Sequence, residues 1–308
     1  MSSVQRRYIL TIAVLAAATL AVLLFTTLRN PNRINYQLPE FAAIEHADID
    51  KIVIDRPNET VTLSRSGSEW FVKPGNHPAD RASTLYILDA ILGLQITDVV
   101  SARDDPAQYN LGDENRVRVT LVGDGKELRV IDIGRRAATL GHTFVGVPGD
   151  NRILQAIGEL RGIFDRDLDA FRDKSVLSFD PSTIDEITLI KTIPPAVPEQ
   201  VRVVRTTDGW VRADRSAAGP LNSNEIRNTL NFLGSLSAYR YRYSDDTLSN
   251  PWLQVQITGE ETYTLSIFAQ DGNVYPARTS ESGDDFDMFL FQASLITDSF
   301  GLERPGDD

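Results

Sequence analysis

Asp48-Ile49-Asp50-Lys51-Ile52-Val53-Ile54 returns, 135 residues later, as Thr183-Ile184-Asp185-Glu186-Ile187-Thr188-Leu189. In both stretches apolar, mostly β-branched residues are set among polar ones, the pattern of a strand with one face on a core. The neighbouring segments repeat too. After the first stretch, Glu59–Arg65 reads as a second strand joined around Pro57-Asn58, and Ser66-Gly67-Ser68 turns into Glu69-Trp70-Phe71-Val72. After the second stretch come Val201–Thr206 and then Asp208-Gly209-Trp210-Val211, with a tryptophan in the same place. A period this long suits a duplicated domain rather than a solenoid.

Each copy continues into a helix. In the first, Asn76-His77-Pro78-Ala79-Asp80 is a start signal, and Leu85, Leu88, Leu92, Ile96 and Val99 mark one apolar face, predicting a helix over residues 79–100. In the second, Asn222-Ser223-Asn224-Glu225 has capping-box spacing, and Ile226, Leu230, Leu233 and Leu236 form the face. Strands resume at Arg116–Val122 and Glu127–Ile133, around the turn Gly123-Asp124-Gly125-Lys126, then at Gly141–Val147 and Arg152–Ala156. Asp132 fits the alternation of its strand poorly. Residues 157–178 read as helical or irregular, with Leu160, Phe164, Leu168 and Phe171 at helical spacing. In the second copy strands return at Leu253–Thr258 and Thr262–Phe268, before an apolar stretch Met288–Ile296.

Ahead of the repeat, Tyr8–Leu28 runs for twenty-one residues without a charge. At about 1.5 Å per residue it spans roughly 31 Å, close to the thickness of a bilayer core. Arg6 and Arg7 precede it, so the positive-inside rule places the N-terminus in the cytoplasm and the bulk of the chain in the periplasm, tethered to the inner membrane by a single pass. The expected fold is α+β: an N-terminal single transmembrane helix, then two related modules of mainly antiparallel sheet, each with one long helix. The expected boundaries are a cytoplasmic tip and anchor over 1–28, a linker over 29–43, a first module with its connecting segment over 44–180, a second over 181–300, and an acidic tail over 301–308.

The chain has 31 basic and 43 acidic residues, a net charge of −12. An acidic surface repels phosphate backbones, so nucleic acid is excluded as a partner. With no cysteine, the chain has neither a disulfide nor a lipid-modified cysteine and must fold on its apolar core.

Chemistry-bearing patterns are few. Gly123-Asp124-Gly125-Lys126 lacks the spacer of a phosphate loop. Asp165, Asp167, Asp169 and Asp173 alternate as in a calcium loop, but Ala170 stands where glycine is required and Val176 where the bidentate glutamate belongs, leaving a solvated acidic helix start. Gly283-Asp284-Asp285-Phe286-Asp287 reads as an exposed acidic turn with weak metal potential. Of the three histidines, His46, His77 and His142, the last is the best acid–base candidate, without a visible partner. Asn58-Glu59-Thr60 meets the glycosylation consensus. Trp70 and Trp210 read as core residues beside their helices. No catalytic, cofactor-binding or metal-binding residue is assigned, and no cofactor is expected.

The Trp70 strand, Pro78-Ala79-Asp80, Tyr109-Asn110-Leu111, Ile133-Gly134, Phe144-Val145 and Phe171-Arg172-Asp173-Lys174 with Leu177 resemble the family DUF4340. The resemblance covers most of residues 45–180 and, more weakly, the second copy. It departs where family members usually have Tyr-Gly-Leu for Tyr109-Asn110-Leu111 and often tyrosine for Phe144. The resemblance implies a membrane-anchored envelope protein, often encoded beside an ABC-type exporter of the gliding-motility kind, and no established catalytic residues. The functional expectation is a non-catalytic accessory subunit of an ABC-type envelope transport system, touching the membrane and a permease or other envelope protein, with any small-molecule ligand unspecified. An anchored envelope hydrolase or sugar-binding enzyme, and a structural scaffold, are the alternatives.

Overall fold

A computed structural model describes residues 14–23, 37–102, 105–192, 197–213, 221–243 and 248–302. Its two large sheets have one topology between them. The first sheet contains β1 (Lys51–Arg56), β2 (Glu59–Ser66), β3 (Glu69–Lys73), β4 (His77–Pro78), β5 (Ile96–Ser101), β6 (Val117–Gly123), β7 (Lys126–Arg136), β8 (His142–Gly146) and β9 (Ile153–Ile157). Ser175–Ser178 forms β10. The second sheet is built from β11 (Glu186–Lys191), β12 (Glu199–Thr206), β13 (Gly209–Arg212), β15 (Arg240–Tyr241), β16 (Leu253–Thr258), β17 (Thr262–Ile267), β18 (Val274–Thr279) and β19 (Phe286–Phe289), while β14 (Ser235–Ser237) pairs with β10. The first sheet runs β4-β3-β2-β1-β6-β7-β8-β9-β5 and the second β13-β12-β11-β16-β17-β18-β19-β15. Apart from the added edge strand β4, each strand of the first has its counterpart ten places on. All named pairings are antiparallel, so the α+β expectation holds for the sheets.

The likeness extends to single contacts. The Arg65 N–H donates to the Asp50 carbonyl at 2.8 Å and the Arg205 N–H to that of Asp185 at 2.8 Å. The guanidinium of Arg65 lies 6.0 Å from the centre of the Trp70 ring, and that of Arg205 5.1 Å from Trp210. Trp210 is buried and Trp70 half-buried against its core, as core packing predicts.

Helix α1 (Arg81–Leu92) is shorter than the expected 79–100. Asp80 caps it, accepting from the Ser83 N–H at 2.6 Å, and Gly93 ends it. Ile96 and Val99 therefore belong to β5, where β-branched Ile96, Thr97, Val99 and Val100 favour extended backbone. The buried helix face is Thr84, Ile87, Leu88 and Ile91, and Leu85 is turned outward. Helix α2 (Leu160–Phe164) and a 3-10 turn at Leu168–Ala170 come after β9, and Leu160, Phe164, Leu168 and Phe171 all reach the first core. In the second module, helix α3 (Ser223–Leu233) is capped by Asn222, which accepts from the Asn224 N–H at 3.1 Å. Leu236, expected on that helix, is buried in β14 beyond the cap at Gly234. The final apolar stretch becomes helix α4 (Leu290–Phe300). Strand β18 gave no clear signal in the sequence because Pro276 lies in its middle, where pairing with β17 gives way to pairing with β19. Asp132, the misfit in β7, is matched across the ladder by Arg118, whose Nε and Nη2 donate to its two oxygens at 2.7 and 2.8 Å.

Each module has its own apolar core. Ile52, Ile54, Leu63, Ile87, Phe164 and Phe171 belong to one, and Ile187, Trp210, Leu230, Ile257, Phe286 and Phe300 to the other. Val176 and Leu177 of β10 lie in the second core, although they precede Asp180-Pro181, where the repeat begins in sequence.

Part of the expected linker is built into the first module. Phe41 packs on the core, and Arg152 Nη1 donates to the Gln37 carbonyl at 2.8 Å. Arg129, buried on the same face of β7 as Ile131 and Ile133, donates to the carbonyls of Ile91 at 2.7 Å, Leu92 at 3.2 Å and Ala42 at 2.6 Å. It thus caps the end of α1 and straps the incoming chain with one side chain. Arg129→Ala removes this donor from all three carbonyls and should cost about 3 kcal/mol, read as a lower urea midpoint. Arg129→Lys, with a single ammonium in place of the fork, should recover only part of the loss.

Among the described residues no helix is long and apolar enough to cross a membrane. Residues 14–23 are helical with exposed side chains, and the remaining positions of Tyr8–Leu28 lie outside the described residues, as do residues 29–36 of the linker and 303–308 of the tail.

Candidate functional site at the joint between the modules

Phe171 is buried in the first core and Val176 in the second, so the chain passes between modules within a few residues. The first module grips the start of this passage through backbone: the Asp80 N–H donates to the Phe171 carbonyl and the Asp173 N–H to that of Pro78, both at 2.9 Å. The second grips its end, where the Ala238 N–H donates to the Lys174 carbonyl at 2.8 Å.

Arg172 sits between these grips, 3% exposed. Its guanidinium lies 3.5 Å from the centre of the Tyr241 ring, donates to the Tyr243 hydroxyl at 2.8 Å and pairs with Asp284 at 2.7 Å, all three in the second module. Asp169, on the 3-10 turn of the first module, accepts from the Tyr241 N–H at 2.8 Å and from the Tyr243 hydroxyl, and lies 3.9 Å from Arg172. The Tyr241 hydroxyl donates to the Asp173 carbonyl at 2.7 Å. His77 Nδ1 on β4 lies 3.2 Å from Asp284. Burial pushes both phenols up to about 12, with the bond to Asp169 adding to the effect at Tyr243. Burial first, and then the positive charge of Arg172, hold His77 below the ordinary imidazole value.

Beside this cluster is a groove of about 750 Å³ bounded by both modules. Glu59, Asp167 and Asp169 line it from the first, with Lys174, Tyr239 and Tyr243 opposite. Such a mixed polar groove between two domains suits a ligand with both donors and acceptors.

The candidates named from sequence are scattered over the molecule. Of the four spaced aspartates, Asp169 serves the joint, Asp165 pairs with Arg161 at 3.0 Å, and Asp173 accepts from the Ser175 N–H at 2.9 Å. Asp165 and Asp167 are exposed, and Asp167 opens the 3-10 turn with Asp169 in its first turn, so the acidic start is there, but Asp169 is turned into the joint. The Gly283–Asp287 segment is not an exposed turn throughout: Phe286 and Asp287 are fully buried in β19, where Asp287 meets Arg240 at 2.5 Å and Arg242 at 2.6 Å. Asp285 pairs with Arg278 at 2.6 Å. Distant arginines supplied what one segment of sequence could not show. Among the described residues no group of three or more histidines and carboxylates is arranged to hold a metal. His142 opens β8 with its Nδ1 2.9 Å from the Leu140 carbonyl oxygen, and His46 pairs with Asp89 on the surface at 2.9 Å. In Gly123-Asp124-Gly125-Lys126, Asp124 and Gly125 have φ of 50° and 72°, as a tight hairpin turn requires.

A family model described as a domain of unknown function, DUF4340, matches residues 70–255, more than half of the chain. The chain belongs to the DUF4340 family. Comparisons with curated proteins and with solved structures give no match. The match starts in β3 and ends in β16, so it runs across the joint and well into the second module, where the resemblance read from sequence is weaker.

The residues that carried the DUF4340 resemblance gather at two places. Phe171-Arg172-Asp173-Lys174 and Pro78 form the joint. Tyr109, Leu111, Gly134 and Phe144 meet on the first sheet, away from the main core: the Tyr109 and Phe144 rings stand edge-on at 4.8 Å, and a Cβ on Gly134 would lie 2.2 Å from the Tyr109 carbonyl oxygen. Asn110 has φ of 56°, a left-handed conformation that asparagine tolerates and glycine adopts freely. Asparagine, at the position where the resemblance expects glycine, thus takes the conformation the turn needs. A pocket of about 380 Å³ adjoins this cluster, with Leu111, Asp132, Asp150 and Arg152 in its wall.

Proposed function

We propose that this DUF4340 protein is a non-catalytic, membrane-anchored accessory subunit of an ABC-type envelope transport system, acting by binding a protein or a ligand. The observation that carries the reading is the use of charge at the joint. Arg172, Asp169, Asp284 and the tyrosine hydroxyls are spent on one another across two modules, an arrangement that positions surfaces. The groove beside them supports ligand binding between the modules.

The uncharged run Tyr8–Leu28 behind Arg6 and Arg7 supports an inner-membrane anchor with a cytoplasmic N-terminus and a periplasmic body. Thr11, Ala13, Ala16, Ala17, Ala18 and Thr19 give that run small residues that allow close helix packing, as a permease contact requires. Arg152 and Arg129 hold the chain from Gln37 onward, and the eight residues between Leu28 and Gln37 can span at most roughly 30 Å, which supports a first module lying near the bilayer.

Purification of the full chain from mild detergent should recover permease or ATPase subunits. Reproducible recovery of neither would overturn the transport reading. Replacing Tyr8–Leu28 by an unrelated transmembrane segment should lose the permease while leaving the chain in the membrane.

A further inference from the structure

Beside the joint, three aromatic rings of the second module face water. Tyr239 precedes β15, Phe289 ends β19 and Phe291 lies in the first turn of α4. The rings touch in series: those of Tyr239 and Phe289 have centres 4.1 Å apart, and those of Phe289 and Phe291 stack at 5.6 Å. All three residues are exposed, Phe291 at 65%. Rings gathered at the surface instead of joining the core make an apolar platform, the kind of patch that marks a binding surface. Tyr239 also lines the groove between the modules, so the platform leads out of that groove.

Much of the charge in the groove is already spent. Glu59 pairs with Arg56 at 2.6 Å, Asp169 accepts from the Tyr241 N–H and the Tyr243 hydroxyl, and Arg240 meets Asp287 at 2.5 Å. What remains is hydrogen-bonding capacity of both kinds. Asp167, exposed at the start of the 3-10 turn, makes no cap bond with its carboxylate. The Lys174 ammonium has three donors and gives one to the Tyr239 carbonyl at 2.9 Å. A phosphate or a polyamine needs an excess of the opposite charge. A neutral polyhydroxyl needs scattered donors and acceptors beside a flat apolar face. A pyranose meets both demands, with hydroxyls around its rim and C–H groups on its faces.

We propose that the groove and its aromatic platform bind a neutral glycan chain, sugar faces lying on Tyr239, Phe289 and Phe291 and hydroxyls reaching Asp167 and Lys174. This rests on the reading that the protein acts by binding a ligand between its modules, and it supplies the chemical class. Because the rings continue out of the groove, the ligand is a chain of sugars and not a single one.

The full chain, in a detergent without a sugar headgroup, is titrated by calorimetry with tetrasaccharides of β-linked glucose, β-linked N-acetylglucosamine and α-linked glucose. At least one should bind, and its monosaccharide should bind at least about tenfold more weakly. Phe291→Ala and Asp167→Ala, both at exposed positions, should each weaken binding about tenfold without moving the urea midpoint. Phe291→Leu, apolar but not flat, should recover little, and Tyr239→Phe, which keeps the ring, should bind as the parent does. Absence of binding by all three tetrasaccharides at millimolar concentration, or Phe291→Ala and Asp167→Ala chains that bind as the parent does, overturns the glycan site. So does a parent that binds no sugar while its Phe291→Ala variant loses permease or ATPase subunits, which makes the platform a protein-docking face. Sugar binding by a chain that recovers neither subunit supports the glycan site and overturns only the transport reading.

Discussion

Phe171→Ala should lower the unfolding transition of the first module by about 3–5 kcal/mol of stability and leave that of the second in place. Phe171 is fully buried, and its ring packs in the first core and lies 5.1 Å from the guanidinium of Arg166. Truncation removes apolar contacts and leaves a cavity that the surrounding strands fill only in part. The selectivity is the sharper part of the expectation. Phe171 adjoins the joint, yet the cores it separates share no buried apolar residue. Phe286→Ala, fully buried in the second core, should produce the mirror result. Calorimetry of the full chain distinguishes the outcomes. If each substitution moved both transitions equally, the modules would unfold as one unit and the joint would be far stronger than its polar contacts imply.

A second pair of substitutions tests the repeat itself. A Cβ on Gly123 would lie 1.9 Å from the carbonyl oxygen of Asp48, and one on Gly259 would lie 2.2 Å from that of Thr183. Gly123 ends β6 and Gly259 directly follows its counterpart β16, and in each module the oxygen belongs to a 3-10 turn preceding the first strand. Backbone cannot yield as a flexible side chain can, so Gly123→Ala and Gly259→Ala should each cost about 3 kcal/mol by displacing that turn. Gly125→Ala is the control, since its Cβ would meet nothing within 4 Å and only its φ of +72° opposes the change, for about 1–2 kcal/mol. Urea titration of the three variants gives the comparison. A Gly259→Ala chain as stable as the parent would show that the second module does not rely on the contact its counterpart needs.

The strands and turns were legible because their signals are local. Alternation in Asp48–Ile54 and Thr183–Leu189 sets a burial pattern at once, and Asp124-Gly125 supplies the backbone angles of its hairpin. Errors came where a local signal ran past its structural limit. Ile96 and Leu236 keep the helical spacing of the residues before them, but Gly93 and Gly234 end the helices first, and both residues find partners in other strands. Asp287 and Arg129 look like surface residues in sequence. They are buried because Arg240 and Arg242, or three backbone carbonyls, meet them from elsewhere in the chain.

From the sequence alone came the duplication, the α+β character, the absence of disulfides and the uncharged run Tyr8–Leu28, since each depends on composition or short-range periodicity. The shared strand order of the two sheets and the joint that links them were decided only in the tertiary structure. Arg172, Asp169, Tyr243, Asp284 and His77 lie far apart in the chain, and nothing in the spacing of single residues brings them together. What makes them a unit is the burial of one guanidinium between two modules, which obliges partners from both to surround it.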